Sequence, residues 1–262
     1  MSIWQYRDSS RDVSLEAVKS RYCIYCRSLL DHLPERIQSP DQGYRETTLA
    51  SLCPACGWWT IRNEIFDNWI EAETTTATEG AAGSLLELDL NDISQPLDEI
   101  RRYLLAKYDA RFLIYPHIFE DTVASVFRDV GYDTVVTART GDDGIDVILH
   151  GPNRERIGVQ VKRWKNAIKA EQIRALAGAL ILGRYTKGVF VTTSRFKPGA
   201  EDTTHRFKMR GIPIELLDAP KFFDVLKIAQ LNVYRRTSVD EIYRQYQPRM
   251  QVLVSETEKW AY

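Results

Sequence analysis

The sequence predicts a two-part α/β protein, with a small cysteine-bearing domain first and then a mixed sheet flanked by helices. Three observations lead there. From Pro116 onward the apolar spacing switches between helical and strand periods in the order α-β-β-β-α-β-α-β. Upstream, four cysteines fall into two C-x2-C pairs. Between the two regions, residues 73–84 read ETTTATEGAAGS, small and polar with no periodicity, which predicts a linker.

Each element has its own signal. Residues 1–72 hold all four cysteines and four of the six tryptophans, material for a small separate domain. Residues 85–115 read as a helical connector, with the helix over 96–105. A helix is expected over 116–130, because Pro116 suits its first turn and Gly131 falls just past its end. Strands are expected near 132–138, 145–150 and 157–162, where apolar residues alternate or run briefly between turn signals. A helix over 168–183, a strand over 188–193, a helix over 198–210 and a strand over 212–217 complete a domain spanning 116–220. The tail, 221–262, reads as mainly helical.

Composition narrows the class. Hydrophobic residues at 44% and charged residues at 27% are ordinary globular values, so a packed core is expected rather than disorder. No apolar run approaches the roughly 18 residues of a membrane span, and the first residues lack a signal-peptide core. A soluble, cytoplasmic protein with no membrane partner is the simplest inference. The net charge of −1 averages two unlike regions. Residues 151–210 carry 14 Lys or Arg against 4 Asp or Glu, and the remainder is acidic. One basic region on an acidic body is the footprint of phosphate binding, although charge runs are also ordinary solvated surface.

Cysteines in a cytosolic chain are seldom disulfides. Cys23-Ile-Tyr-Cys26 and Cys53-Pro-Ala-Cys56 have metal-ligand spacing, with 26 residues between the pairs. That pattern predicts a structural Zn²⁺ site; a redox pair or an iron–sulfur site are the alternatives. Four thiolates close the coordination shell, so catalysis at this metal is not expected. The neighbours Arg21, Tyr22, Tyr25, Arg27, Trp58, Trp59 and Arg62 suit the core of a small metal-stapled domain, with DNA or partner recognition as a secondary role.

The strand Ile157-Gly-Val-Gln-Val-Lys162 places Ile157, Val159 and Val161 on one face and Gln160 and Lys162 on the other. The Cα atoms of the latter two should lie about 6.5–7 Å apart. Upstream, the turn Thr140-Gly-Asp-Asp-Gly-Ile-Asp146 sets Asp146 at the start of the preceding strand. A hairpin of these strands brings Asp146, Gln160 and Lys162 together. Mg²⁺ prefers oxygen ligands; Asp146 can supply a charged one, and the Gln160 side chain or a neighbouring main-chain carbonyl a neutral one. Such an ion acidifies an attacking water, and Lys162 can orient that water or stabilise charge on a phosphate. Glu120 falls at helical spacing with Val123, Ala124 and Phe127, where a carboxylate needs a partner such as a metal or Lys162. Each residue alone has a bland reading, as turn chemistry, a strand surface or a solvated helix edge.

Their joint order is more specific. Phe119-Glu120, Gly131-Tyr132, Gly144-Ile-Asp146, Val159-Gln-Val-Lys-Arg163, Gly188-Val-Phe-Val-Thr-Thr-Ser194 and Ile214-Glu-Leu-Leu-Asp218 resemble the Mrr-like branch of the PD-(D/E)xK nucleases. The resemblance covers residues 116–220. It implies a restriction-endonuclease-like fold and Mg²⁺- or Mn²⁺-dependent DNA cleavage. It further implies Asp146 as metal ligand, Gln160 where other branches carry an acid, Lys162 as catalytic lysine and Glu120 as the helix acid. Arg163, Lys165 and Lys169 after one strand, and Arg195 and Lys197 after another, then become candidate DNA-phosphate contacts. Trp164 suits base stacking or edge packing, and Thr192, Thr193 and Ser194 suit phosphate contact or turn capping. The winged-helix recognition domain of familiar Mrr-type enzymes is not evident, so methylation dependence is not carried over.

Other enzyme classes fit poorly, since the chain has no G-x4-GK[ST] loop, no G-x-S-x-G elbow and no ligand spacing among its four histidines. Two rivals stand beside a DNA endonuclease: a non-cleaving DNA-binding or scaffold protein on a nuclease fold, and a nuclease for RNA or branched DNA. A sequence-independent nuclease needs control, which points to restriction or anti-phage defence with an activating partner or a homo-oligomer.

Overall fold

The computed structural model describes residues 3–5, 15–39, 43–67, 73–137, 144–152, 155–234 and 254–261. The chain forms two compact units. Unit 1 is Met1–Glu87 together with Tyr234–Tyr262, and unit 2 is Leu88–Val233.

Unit 1 contains β1 (Trp4–Gln5), α1 (Leu15–Lys19), β2 (Asp31–His32), β3 (Arg36–Gln38), β4 (Tyr44–Leu52), β5 (Trp59–Asp67), β6 (Glu73–Ala82) and β7 (Ser84–Leu85). It is closed by a strand at Val254–Ala261. The main sheet is antiparallel, in the order Val254–Ala261, β6, β5, β4, β2, with β3 also on β4; β1 pairs with β7.

Two expectations are corrected here. Residues 73–82 are a strand instead of a linker, hydrogen-bonded to β5 on one side and to Val254–Ala261 on the other. Four threonines give the segment strand preference without an apolar stripe. Its small residues are required by packing, since a Cβ on Gly80 would lie 2.8 Å from Val18 Cγ1. The tail is also not uniformly helical, because Val254–Ala261 pairs with β6 across eight residues. Sheet pairing outweighs the helix preference of its Glu and Lys residues. The helical reading of residues 235–253 falls outside the described residues.

Unit 2 runs α2 (Leu97–Ala106), a 3-10 turn (Tyr108–Phe112), α3 (Pro116–Asp129), β8 (Asp133–Val136), β9 (Val147–His150), β10 (Arg156–Lys162), α4 (Ala170–Leu182), β11 (Lys187–Thr192), α5 (Pro198–Lys208), β12 (Ile214–Leu217) and α6 (Ala219–Val233). From α3 to β12 this is the order expected. The sheet order is β12-β11-β10-β9-β8. The strands β10, β11 and β12 are parallel, and β9 is antiparallel to both β10 and β8. Residues 140–143 of the turn before Asp146 lie outside the described residues.

Helices cover both faces of this mixed sheet. On one side α4 and α5 bury Ile173, Leu176, Leu180 and Ala200 against Ile145 and Phe190. The close approach depends on Gly158 and Gly188, register partners on β10 and β11. A Cβ at either would stand 2.8 or 2.4 Å from a Leu180 methyl. On the other side α2, α3 and α6 pack together, with Phe119 and Phe222 edge to face at 5.5 Å. Burying side chains of this size contributes roughly 2–3 kcal/mol each. The buried Arg101 of α2 ties to Asp129 at the end of α3.

Candidate active site

The hairpin of β9 and β10 determines the site. Val147 pairs with Val159, so Asp146, one step further, stands opposite Gln160. The amide of Asp146 donates to Val159 O (2.9 Å), and its Oδ2 accepts from the Val161 amide at 2.6 Å. Backbone donation of that kind fixes the carboxylate at the strand end. Gly144 permits the approach, with φ 83° and space for a Cβ only 3.3 Å from Gln160 Nε2.

Along β10 the alternation is as expected. Ile157, Val159 and Val161 are buried, while Gln160 and Lys162 are partly exposed. Gln160 Oε1 is inaccessible to solvent and has no hydrogen-bond partner among the described residues. A buried amide oxygen without a donor is unfavourable by about 1–3 kcal/mol, unless a donor or a cation reaches it. Lys162 Nζ stands 4.9 Å from the centre of the Trp164 ring.

These groups open on one cleft of about 550 Å³, lined by Pro116, Glu120, Gly144, Asp146, Gln160, Val161, Lys162, Arg163 and Trp164. Glu120 therefore faces the cleft from α3, beyond the buried stripe of Val123, Ala124 and Phe127. Among the described residues it has a partner that the sequence does not announce. Glu120 Oε2 lies 2.8 Å from His117 Nδ1, one helical turn earlier. Nothing in the residue pattern singles out His117 except its i, i+3 spacing to Glu120.

The candidate DNA contacts divide. Arg163 lines the cleft but turns back, its Nη1 donating to Phe112 O at 3.2 Å. Lys165, Lys169, Arg195 and Lys197 are exposed and line no part of it. They lie on two segments running side by side, joined by the Ile168–Phe196 bridge. Lys169 and Lys197 are the N-cap residues of α4 and α5.

The Thr192 hydroxyl accepts from the Ser194 amide (3.2 Å), the turn capping that was expected, and the hydroxyls of Thr192, Thr193 and Ser194 also act at longer range. Thr192 donates to Lys162 O (2.9 Å), Thr193 donates to Trp164 O (2.9 Å) and accepts from its amide (3.0 Å), and Ser194 donates to Lys165 O (3.0 Å). Three consecutive side chains thus stitch the Lys162–Lys165 backbone in place.

The four cysteines form a second, separate cluster. Cys23 and Cys56 sulfurs are 3.5 Å apart and those of Cys26 and Cys53 3.4 Å, with all four within 4.8 Å. Tetrahedral bonds of about 2.3 Å would set sulfurs about 3.8 Å apart, so the group has the size of a closed metal site. The two knuckles repeat one backbone pattern. Arg27 and Gly57 donate to the carbonyls of Cys23 and Cys53, and both have positive φ, 61° and 79°. Hydrogen bonds from the neighbouring thiols pull the Cys26 thiol far below its usual range, whereas burial holds Cys56 well above it. One cation bound by four sulfurs this close would replace their protons.

An acid at one strand end, a Gln-x-Lys on the next strand and a glutamate on the preceding helix thus meet at one cleft of unit 2. Residues 114–226 of the chain match the family model Mrr_cat, described as a restriction endonuclease. The chain is 34% identical over 118 residues to the type IV methyl-directed restriction enzyme EcoKMrr of Escherichia coli (strain K12). That alignment covers 42% of this chain and 39% of the relative, so the chain spans well under half of its length. Among solved structures, the DNA modification-dependent restriction endonuclease AspBHI aligns with a TM-score of 0.37 and 20% identity, over 56% of this chain and 40% of that one. Restriction endonuclease FokI aligns with a TM-score of 0.39 and 12% identity, over 63% and 36%. Among the described residues no helix is long and apolar enough to cross a membrane.

Proposed function

We propose that the chain is a divalent-metal-dependent endonuclease that hydrolyses DNA phosphodiester bonds in restriction or anti-phage defence. The observation that carries this reading is Gln160 Oε1, buried and partnerless among the described residues, in one cleft with Asp146 and Lys162. A hard cation fits that donor set, with Asp146 and Gln160 holding it and Glu120 at the cleft's edge. Bound there, Mg²⁺ or Mn²⁺ would acidify a water and offset charge on the phosphate. An amide is a weaker ligand than a second carboxylate, so low-millimolar metal should be needed.

The chain's own residues do the rest. Lys162, steadied by the Trp164 ring, presents its ammonium to a non-bridging phosphate oxygen or to the attacking water. Asp146 is held ready by the Val161 amide. Lys169 and Lys197 sit at the N-termini of α4 and α5. Together with Lys165 and Arg195 they would hold DNA phosphates outside the cleft. The cysteine cluster takes Zn²⁺ as a structural ion, one per chain.

The test is incubation of purified protein with plasmid, linear and single-stranded DNA and RNA, in Mg²⁺ or EDTA. Plasmid should be nicked or linearised only with metal. Asp146→Ala and Lys162→Ala should each lower the rate by at least about 10²-fold. Full activity in either variant would overturn the assignment, and cleavage of RNA alone would overturn the DNA claim.

A further inference from the structure

The two cysteine knuckles share a backbone but differ in what they present. The second is enclosed, with Ala55, Cys56 and Trp58 buried. The first carries Arg21, Tyr22, Arg27 and Leu29 on its outside, all exposed, Tyr22 by 57% and Leu29 by 56%. An antiparallel bridge joins Tyr22 to Leu29, which sets their side chains on the same side.

The aromatic and basic residues around the cysteines therefore sort into two groups. Trp58 and Trp59 are core, and Tyr25 leans on Trp4 at 4.8 Å and on Trp58 at 5.9 Å. Arg62 pairs with Glu64 within β5. Arg21 and Arg27 are different, since their side chains form no ion pair or hydrogen bond among the described residues.

Arg27 supplies a second, independent observation. It has φ 61°, at the knuckle position that Gly57 fills with φ 79°. That backbone favours glycine, yet an arginine stands there and points to solvent. Such strain is kept where the side chain is used.

We propose that the outer edge of the first knuckle, Arg21, Tyr22, Arg27 and Leu29, is a DNA-contacting surface. The two guanidiniums would take neighbouring backbone phosphates, and the Tyr22 ring would lie on a sugar or base between them. Unpaired arginines beside an exposed aromatic ring match a polyanion with flat apolar surfaces. The choice of DNA over an acidic peptide rests on the nuclease reading of unit 2.

The test uses the full zinc-loaded chain and a 30-base-pair duplex, with equilibrium binding measured across salt in the absence of Mg²⁺ and Mn²⁺. The double variant Arg21→Ala/Arg27→Ala should bind about tenfold more weakly, and its log–log salt slope should fall by about two, because each lost phosphate contact removes about 0.9. Arg27→Gly should remove about one. It keeps the measurement interpretable if the double variant loses metal, since glycine suits the backbone. Wild-type affinity and slope in both variants would overturn the proposal. So would wild-type protein binding a poly-glutamate peptide as tightly as the duplex, with only the peptide lost in the variants. If DNA binding responds as expected but wild-type protein cuts nothing with Mg²⁺, the nuclease reading fails and this one stands.

Discussion

At the scale of single residues, the candidate site is a set of side chains each held by one specific neighbour. Glu120 has His117, so His117→Ala should free the carboxylate to rotate. The metal concentration for half-maximal cleavage should then rise several-fold with little change in melting temperature; an unchanged metal titration would remove His117 from the account. Lys162 has the Trp164 ring. Trp164→Leu should lower the cleavage rate about fivefold, the size of a cation–π contact near 1 kcal/mol, whereas Trp164→Phe should retain most of it. Equal losses in the two variants would argue for bulk instead of ring electrostatics. The central trio was legible in the sequence because strand alternation and a hairpin turn suffice to place Asp146, Gln160 and Lys162. His117 was not, since an i, i+3 pair on a helix looks the same whether or not a cleft lies beside it.

At the scale of elements, the order from α3 to β12 was readable because each strand or helix is bounded by turn residues and carries its own apolar period. Pro116 and Pro198 sit in the first turns of α3 and α5, and Gly131 and Gly211 take positive φ beyond their ends. Residues 73–82 failed for a physical reason. Their strand preference comes from threonine without an apolar alternation to mark the pairing with β5, and their other neighbour, Val254–Ala261, is far away in sequence. The reach of the hydroxyl run at the end of β11 was also opaque, because hydrogen bonds from Thr192, Thr193 and Ser194 to another strand's end and extension leave no local signature. Thr193→Val should leave the Trp164 amide unpaired and lower stability by about 1–2 kcal/mol in a denaturant titration. It should also slow cleavage more than a variant matched for stability elsewhere. Gly188→Ala drives a Cβ into Leu180 and should destabilise by about 1–3 kcal/mol. A neutral result would mean that α4 can shift without penalty.

At the scale of the whole molecule, the overall charge of −1 conceals a basic region over residues 151–210. The four-cysteine pattern announced its cluster but not the different surfaces of the two knuckles. Because the thiols must lose protons to hold a metal, acidification should release it as pH falls. Cys56→Ser should reduce bound zinc below one per chain and abolish the cooperative melting of unit 1; full zinc retention would point to a different ligand set. Unit 1 is built from residues before 88 and after 233, and the strand Val254–Ala261 is one edge of its sheet. During synthesis, β6 leaves the ribosome long before that partner exists, while the whole candidate cleft is made in between. Unit 2 can therefore finish folding while β6 still has an open edge, the kind of surface that recruits other strands. A chain halted before residue 254 would carry the candidate cleft with that edge exposed, so premature products should aggregate instead of accumulating as soluble chains with a finished cleft.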